Sequence, residues 1–169
     1  MNIRDWNPAE GAAFQGDICI ILLPAKIKIT TIDEIAPRDG RLIIQEGEVS
    51  GHHHAIPVRN FRAATPVMSD PSLATGDMKL RSALRARGSA ANESAEGTAR
   101  LYRNQAASQA LQRAGILTRT DLTIGFLVVE SSPVVIGHEE HDGIRVPPGR
   151  YYVGRQVESA GAEERIVSD

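Results

Sequence analysis

Short runs of aliphatic and β-branched residues, separated by Gly and Pro, constrain the fold of this chain most strongly. GDICIILLP (residues 16–24) is a continuous apolar run bounded by Gly and Pro, as expected for a buried strand. LTIGFLVVE (122–130) and SPVVIG (132–137) repeat this β-branched pattern later in the chain. The runs do not alternate with long amphipathic helices, which argues against a parallel nucleotide-binding sheet. We therefore predict a mainly β fold, either a small barrel or a sandwich, with one inserted helical segment.

Length and composition are those of one globular domain. The chain has 169 residues, of which 41% are hydrophobic and 24% charged, so we treat residues 1–169 as a single domain. Within it we assign a β core to about residues 14–62 and 122–158. A basic helical insertion is assigned to about 63–121, and an acidic tail to 159–169. The firmest helix is predicted from Thr98 to Ala114, with Gly115 as its C-terminal cap.

Basic side chains dominate the predicted insertion. They are Lys79, Arg81, Arg85, Arg87, Arg100, Arg103, Arg113 and Arg119. They suit either a solvated helical face or a contact for an acidic partner or a phosphate backbone. The overall charge of −2 and the scarcity of aromatic residues beside these arginines argue against nucleic-acid binding. We therefore expect a protein partner or self-association through 63–121. A phage-particle decoration or other assembly subunit is the alternative function that this suggests.

Neither a signal segment nor a membrane span is expected. The N-terminal sequence lacks a basic stretch followed by an apolar one, and no apolar run approaches the ~20 residues that cross a bilayer. These features predict a cytoplasmic protein, or a virion-associated one if a phage encodes it. The single cysteine, Cys19, lies within ICIILL and is interpreted as a buried structural thiol.

All five histidines lie in two short stretches, GHHHAI (51–56) and GHEEHDGI (137–144). In an extended segment His52 and His54 project to one side and His53 to the other. His138 and His141 are three residues apart, a spacing that converges in a tight loop. If folding brings the two stretches together, His52, His54, His138 and His141 form a candidate site for Zn²⁺ or another divalent transition metal.

Two carboxylates accompany the second stretch and are the candidate catalytic residues. Glu139 or Glu140 would serve as an oxygen ligand, as a partner that orients an imidazole, or as a general base. A metal held here would either stabilise the fold or activate water for hydrolysis. In the alternative interpretation the histidines only cap strand ends and bond neighbouring loops. The sequence does not decide between an enzyme and a binding protein.

Known catalytic motifs are not matched. HEEH lacks the four-residue spacing that places both histidines of a zinc-protease HExxH helix on one face. The HxH element is similar to that of cupins, but no Glu follows His54 at the cupin distance and no His follows Pro148 and Gly149. Ser50 precedes His52 without a nucleophile elbow, and phosphate-binding glycine loops are absent from the sequence.

The motifs QGD, GEVSGHHH, HEEH and PPGRYYVGRQ together resemble a family of small uncharacterised bacterial and phage-borne proteins. The matching positions are Gln15, Gly16, Asp17, Gly47, Glu48, Val49, Ser50, Gly51, His52, His54, His138, Glu139, Glu140, His141, Pro147, Pro148, Gly149, Tyr151, Arg155 and Gln156. The resemblance spans about residues 14–56 and 137–158 and leaves the basic middle unmatched. It implies that His53, unlike His52 and His54, is not part of the shared motif. It implies no particular reaction.

Overall fold

The computed structural model describes residues 2–46, 51–58, 98–160 and 163–166. Nearly half of these residues form strands and far fewer are helical, which confirms the predicted mainly β class. The strands are β1 Ile3–Asp5, β2 Ala13–Gln15, β3 Ile18–Leu22, β4 Glu34–Ile35, β5 Arg41–Glu46, β6 His53–Pro57, β7 Thr98–Tyr102, β8 Thr123–Glu130, β9 Val134–Ile136, β10 Gly143–Val146, β11 Gly149–Arg155, β12 Val157–Ala160 and β13 Glu163–Ile166. A short 3-10 helix spans Pro8–Glu10, and the α-helix α1 spans Gln105–Arg113.

A six-stranded antiparallel sheet forms the centre, in the order β2-β3-β11-β8-β7-β4. Its inner strands β8 and β11 have buried residues on both faces, which explains why β8 is a nearly continuous apolar run and why β11 has the apolar centre YYV. Tyr151 packs into one apolar core and Tyr152 into the other, because neighbouring strand residues point to opposite faces.

Smaller sheets cover one face of the central sheet. Strands β1, β10 and β9 form a three-stranded sheet, in which β1 runs parallel to β10, and β5 pairs with β6. Their inward residues, including Leu42, Ile56 and Ile144, share a core with Ile18 and Leu127 of the central sheet. The strands of the described residues do not close into a barrel.

Helix α1 packs on the opposite face of the central sheet. Its Ala107 and Leu111 join Phe126 and Tyr152 in a second apolar core. Asn104 caps the helix by accepting a hydrogen bond from the backbone N–H of Ala107 at 3.0 Å. None of the helices in the described part of the chain is long and apolar enough to cross a membrane.

The helix predicted from Thr98 to Ala114 is wrong in its first third. Residues Thr98–Tyr102 form β7, an inner strand between β8 and β4, and the helix begins only at Gln105. The buried residues Ala99 and Leu101 follow the two-residue period of a strand. Gly115 has φ +70° and its N–H bonds the carbonyl of Gln112, as predicted for the C-terminal cap.

Other boundaries also differ from the sequence-based assignment. Residues 26–32 alternate apolar and polar side chains, which predicts a strand, but the structure shows them as irregular. The region assigned to an acidic tail contributes β13 and part of β12, which pair as a hairpin. Residues 59–97, which include most of the predicted insertion 63–121, lie outside the described residues, so the helical structure and partner contacts predicted for them stay predictions.

Candidate functional site

Reciprocal backbone hydrogen bonds join the two histidine stretches. The N–H of Ala55 donates to the carbonyl of Gly137 at 3.0 Å, and the N–H of Gly137 donates to the carbonyl of Ala55 at 2.9 Å. Ala55 follows His54, and Gly137 precedes His138. This pairing therefore places the two histidines side by side between β6 and the end of β9.

The four imidazoles proposed from the sequence lie in one cluster. His138 is central: its ring centroid is 4.3 Å from that of His54, 4.7 Å from that of His141 and 5.8 Å from that of His52. The His138 and His141 planes are stacked at 24°, whereas His52 meets His138 edge-on at 88°. The structure thus brings together all four of the predicted ligands.

A buried carboxylate completes the cluster. Asp17 Oδ1 lies 2.7 Å from His54 Nε2, and the side chains of Asp17 and His54 are only 5% and 1% exposed. Asp17 sits in the tight turn between β2 and β3, where Gly16 adopts φ +52°. A positive φ is readily adopted by glycine, so this residue lets the chain reverse immediately before the carboxylate.

Gln15 fixes the orientation of the His54 ring. Its buried side-chain amide donates to the carbonyl of Ile136 at 3.3 Å and to that of Asp142 at 2.6 Å. The other end of the amide, Oε1, therefore faces His54 Nδ1 at 3.1 Å and acts as an acceptor. Nδ1 must then carry a proton, which directs the Nε2 atom of His54 toward Asp17.

Gln156 supports the turn that carries the carboxylate. Its backbone N–H donates to the carbonyl of Asp17 at 2.7 Å, and its side-chain amide donates to the carbonyls of Gly16 and Ile18. The motifs QGD, GHxH, HEEH and RQ consequently meet at one place in the fold. The QGD motif lies more than a hundred residues before HEEH and RQ in the sequence.

His138 also has a defined hydrogen bond. Its Nδ1 accepts from the backbone N–H of Glu140 at 3.1 Å, so this nitrogen presents a lone pair to the protein backbone. His138 is 5% exposed and lies at the inner side of the cluster. His52 is 29% exposed at its side chain and His141 is half-buried, so the cluster extends from the interior to the surface.

The two candidate catalytic glutamates have different surroundings. Glu139 Oε2 accepts a hydrogen bond from the backbone N–H of His53 at 2.8 Å, and this bond holds the pKa of the Glu139 carboxyl below its usual range. A carboxylate with a lowered pKa is a weaker base, so Glu139 suits a structural role at the start of β6. Glu140 is exposed and its Oε1 lies 3.5 Å from His52 Nδ1.

His53 projects away from the cluster, as strand alternation predicted. Its Nδ1 is 3.9 Å from Glu139 Oε1, and its side chain is 31% exposed. His53 therefore provides a natural control for every experiment on the cluster.

The side-chain arrangement does not by itself form a coordination sphere. Among residues 2–46, 51–58 and 98–157, no three His, Cys, Asp or Glu side chains are disposed to hold one metal ion together. The rings of His54, His138 and His141 are partly stacked rather than directed at a common point. The metal-ligand role of the histidines stays a prediction.

Sequence reasoning missed Asp17 and Gln15 as site residues. Both belong to the QGD motif on which the family resemblance rests, and that motif was the available signal. Cys19, two residues after Asp17, faces the second apolar core, and burial raises the pKa of its thiol. That environment agrees with the structural role predicted for Cys19.

Comparison with known proteins adds one match. The profile of a family described as a domain of unknown function (DUF8820) matches residues 74–156. The match covers just under half of the chain, including His138 and His141 but not the first histidine stretch or Asp17. The match agrees with a resemblance to uncharacterised proteins, and it indicates no activity.

The matched range also covers residues 74–121, most of the segment that the motif resemblance left unmatched. No curated protein shows a significant match to the chain, and no solved structure does. The function must therefore be argued from the chemistry of the site.

Proposed function

We propose that this protein binds a divalent transition metal of the Zn²⁺ type between its two histidine stretches, with Asp17 as a carboxylate ligand. The observation that carries the proposal is the orientation of His54. Its Nδ1 bonds Gln15 Oε1, and its Nε2 faces Asp17 Oδ1. Metal-bound histidines commonly use this arrangement, in which one ring nitrogen donates to a protein oxygen and the other binds the ion.

The distances are close to those that a shared ion requires. Two ligands bound tetrahedrally at about 2.0–2.1 Å from Zn²⁺ lie roughly 3.3 Å apart. His54 Nε2 and Asp17 Oδ1 are 2.7 Å apart, so they would separate by roughly 0.6 Å to admit the ion. Imidazoles that share such an ion have ring centres about 5 Å apart. The observed centroid distances of 4.3, 4.7 and 5.8 Å lie on both sides of that value.

His138 and either His141 or His52 would supply the two remaining tetrahedral ligands, which requires the rings to turn about their side-chain torsions. For His138 this includes exchanging the hydrogen bond from the Glu140 N–H for the ion or for a different ring nitrogen. That rearrangement costs about one hydrogen bond, roughly 0.5–1.5 kcal/mol. It is small beside the ~10–16 kcal/mol that structural zinc sites contribute.

The primary role we propose for the metal is to stabilise the junction of the two stretches. Asp17 and His54 lie inside, while His52 and Glu140 lie toward solvent, so an ion here would face protein on one side and water on the other. If a water took the place of the outer imidazole, His141 or His52, the ion would activate it for hydrolysis, with Glu140 as the proton acceptor. Metal binding is the function that we propose for the site, and hydrolysis would be a second function that depends on it.

Isothermal titration of tag-free protein with Zn²⁺ tests the proposal. We expect one ion per chain for the wild type and for His53→Gln, the matched control. His138→Gln and Asp17→Asn should weaken binding about tenfold or more, since each removes a ligand. Circular dichroism of each variant establishes that it is folded. Absence of Zn²⁺ binding by the wild type, or an equal loss in His53→Gln, would overturn the proposal.

A further inference from the structure

The two histidine stretches face each other in a fixed antiparallel register. The reciprocal backbone hydrogen bonds of Ala55 and Gly137 define one pair of opposite residues. In antiparallel pairing the residue before one member lies opposite the residue after the other, so His54 lies opposite His138. The ring centroids of this second pair are 4.3 Å apart, as expected for opposite side chains on one face.

One step further along this register, Glu139 lies opposite His53. Backbone groups two residues apart on a strand point to the same side, so the N–H of His53, like that of Ala55, is directed at the second stretch. The chain bends at residues 139–141, and the acceptor here is a side chain: Glu139 Oε2 accepts from the His53 N–H at 2.8 Å. The carboxylate thus takes the place that a backbone carbonyl would have in a longer ladder.

The bond from Glu139 determines which side chain faces His54. His138 is the residue between two attachments to β6, the backbone pair of Gly137 on one side and the carboxylate of Glu139 on the other. A slip of one residue in the pairing would turn the His138 imidazole away from His54, because successive side chains on a strand point to opposite faces. The register is therefore a condition for the histidine cluster.

Other hydrogen bonds hold the ends of the same loop. The side-chain amide of Gln15 donates to the carbonyls of Ile136 and Asp142, which lie on either side of the loop. These two bonds bring the ends together but do not set the position of the residues between them. The Glu139 bond attaches the middle of the loop to β6.

We propose that Glu139 is a positioning residue of the metal site, whose carboxylate sets the register of the second stretch against β6 and so holds the His138 imidazole beside His54. The inference rests on the proposed metal function. It gives Glu139 neither a ligand role nor a proton-transfer role, since Glu139 acts through the backbone N–H of His53. Removal of a residue that orients metal ligands commonly lowers metal affinity about 10–100-fold.

Isothermal titration of the full chain with Zn²⁺ separates the reach of this side chain from its charge. Glu139→Gln keeps an acceptor oxygen at the same reach and removes the charge, so it should bind zinc within about threefold of the wild type. Glu139→Asp keeps the charge but is one methylene shorter, so it should bind about tenfold more weakly. The matched control is Asp142→Ala, which removes an exposed carboxylate from the same loop and should leave the affinity unchanged.

The metal-free protein provides a second readout, which reports the register itself. The nuclear Overhauser effect between the ring protons of His54 and His138 should persist in Glu139→Gln and disappear in Glu139→Asp. The His53 amide should exchange with solvent faster in Glu139→Asp alone, because that variant loses the acceptor. Circular dichroism establishes that each variant is folded. Should Glu139→Asp not fold, Glu139→Gln decides, because the register argument requires it to keep both the ring contact and the zinc affinity.

The contrary outcomes distinguish this inference from the proposed function. Absence of zinc binding by the wild type would remove the proposed function and the role of Glu139 with it. If the wild type binds zinc and Glu139→Asp binds it equally well, Glu139 does not position the site. Binding by Glu139→Gln that is more than threefold weaker would also overturn the inference alone, because the charge rather than the hydrogen bond would then matter.

Discussion

Replacement of Gln15 by Leu should destabilise the protein far more than the same substitution on its surface. Gln15 is 4% exposed, and its amide makes hydrogen bonds with His54 Nδ1 and with the carbonyls of Ile136 and Asp142. Leucine fills a similar volume but leaves these buried groups without that partner. Each such group costs about 1–3 kcal/mol, and the added apolar burial offsets part of the loss.

We therefore expect Gln15→Leu to lower the free energy of unfolding by about 2–4 kcal/mol. The matched control is Gln112→Leu, because Gln112 is exposed and donates one hydrogen bond, to the carbonyl of Thr118. The control should change stability by less than about 0.5 kcal/mol. Urea unfolding at constant m-value measures both, and for a chain of this length the melting temperature should fall roughly 2–4 °C per kcal/mol.

Equal stabilities of the two variants would refute the argument that the amide of Gln15 holds the cluster together. A change in m-value for Gln15→Leu alone would indicate altered compactness instead, and Gln15→Met then separates the two effects. Methionine preserves the chain shape without the amide, so it should lose the same hydrogen bonds as leucine.

Further predictions concern the two apolar cores. Burial raises the pKa of both Tyr151 and Tyr152 to about 12. The free energy by which the neutral phenols stabilise the folded state is therefore fully present below pH 10 and is lost as the pH rises from 10 to 12. Absorbance titration with Tyr→Phe variants should place both ionisations near 12 in the native protein and near 10 in urea. Burial also raises the pKa of the Cys19 thiol, so a disulfide reagent should modify Cys19 much more slowly in the native state than in urea. Gly154→Ala should destabilise by about 1–3 kcal/mol in urea unfolding, because a Cβ at this position would collide with the buried ring of Tyr152.

Each of these expectations has a clear contrary result. Native titration of both tyrosines near pH 10 would contradict their burial. Equally fast modification of Cys19 in buffer and in urea would place the thiol on the surface. Wild-type stability of Gly154→Ala would show that Tyr152 packs differently from the structure described above.

The sequence predicts those features that depend on neighbouring residues. Strand alternation separated His53 from His54, and Gly115 marked the end of α1. Each of these predictions uses a local period or a local backbone preference. The structure agrees with them because tertiary packing reinforces the same preference.

Features that depend on distant contacts were harder to predict. The helix prediction includes Thr98–Tyr102, and only the pairing of β7 with β8 and β4 selects the strand there. Asp17 lies in a tight turn, where a carboxylate ordinarily indicates solvent exposure. Its burial follows from partners such as His54 and Gln156, which no local pattern connects to it.

The most direct measurement is the long-range ¹H–¹⁵N spectrum of the histidine side chains, recorded before and after one equivalent of Zn²⁺. We expect the ring nitrogens of His54 and His138 to shift strongly, the His54 Nδ1 to remain protonated, and the signals of His53 to stay in place. If zinc instead perturbs His53 as much as His54, or leaves every imidazole unchanged, the two histidine stretches and Asp17 do not form a metal site.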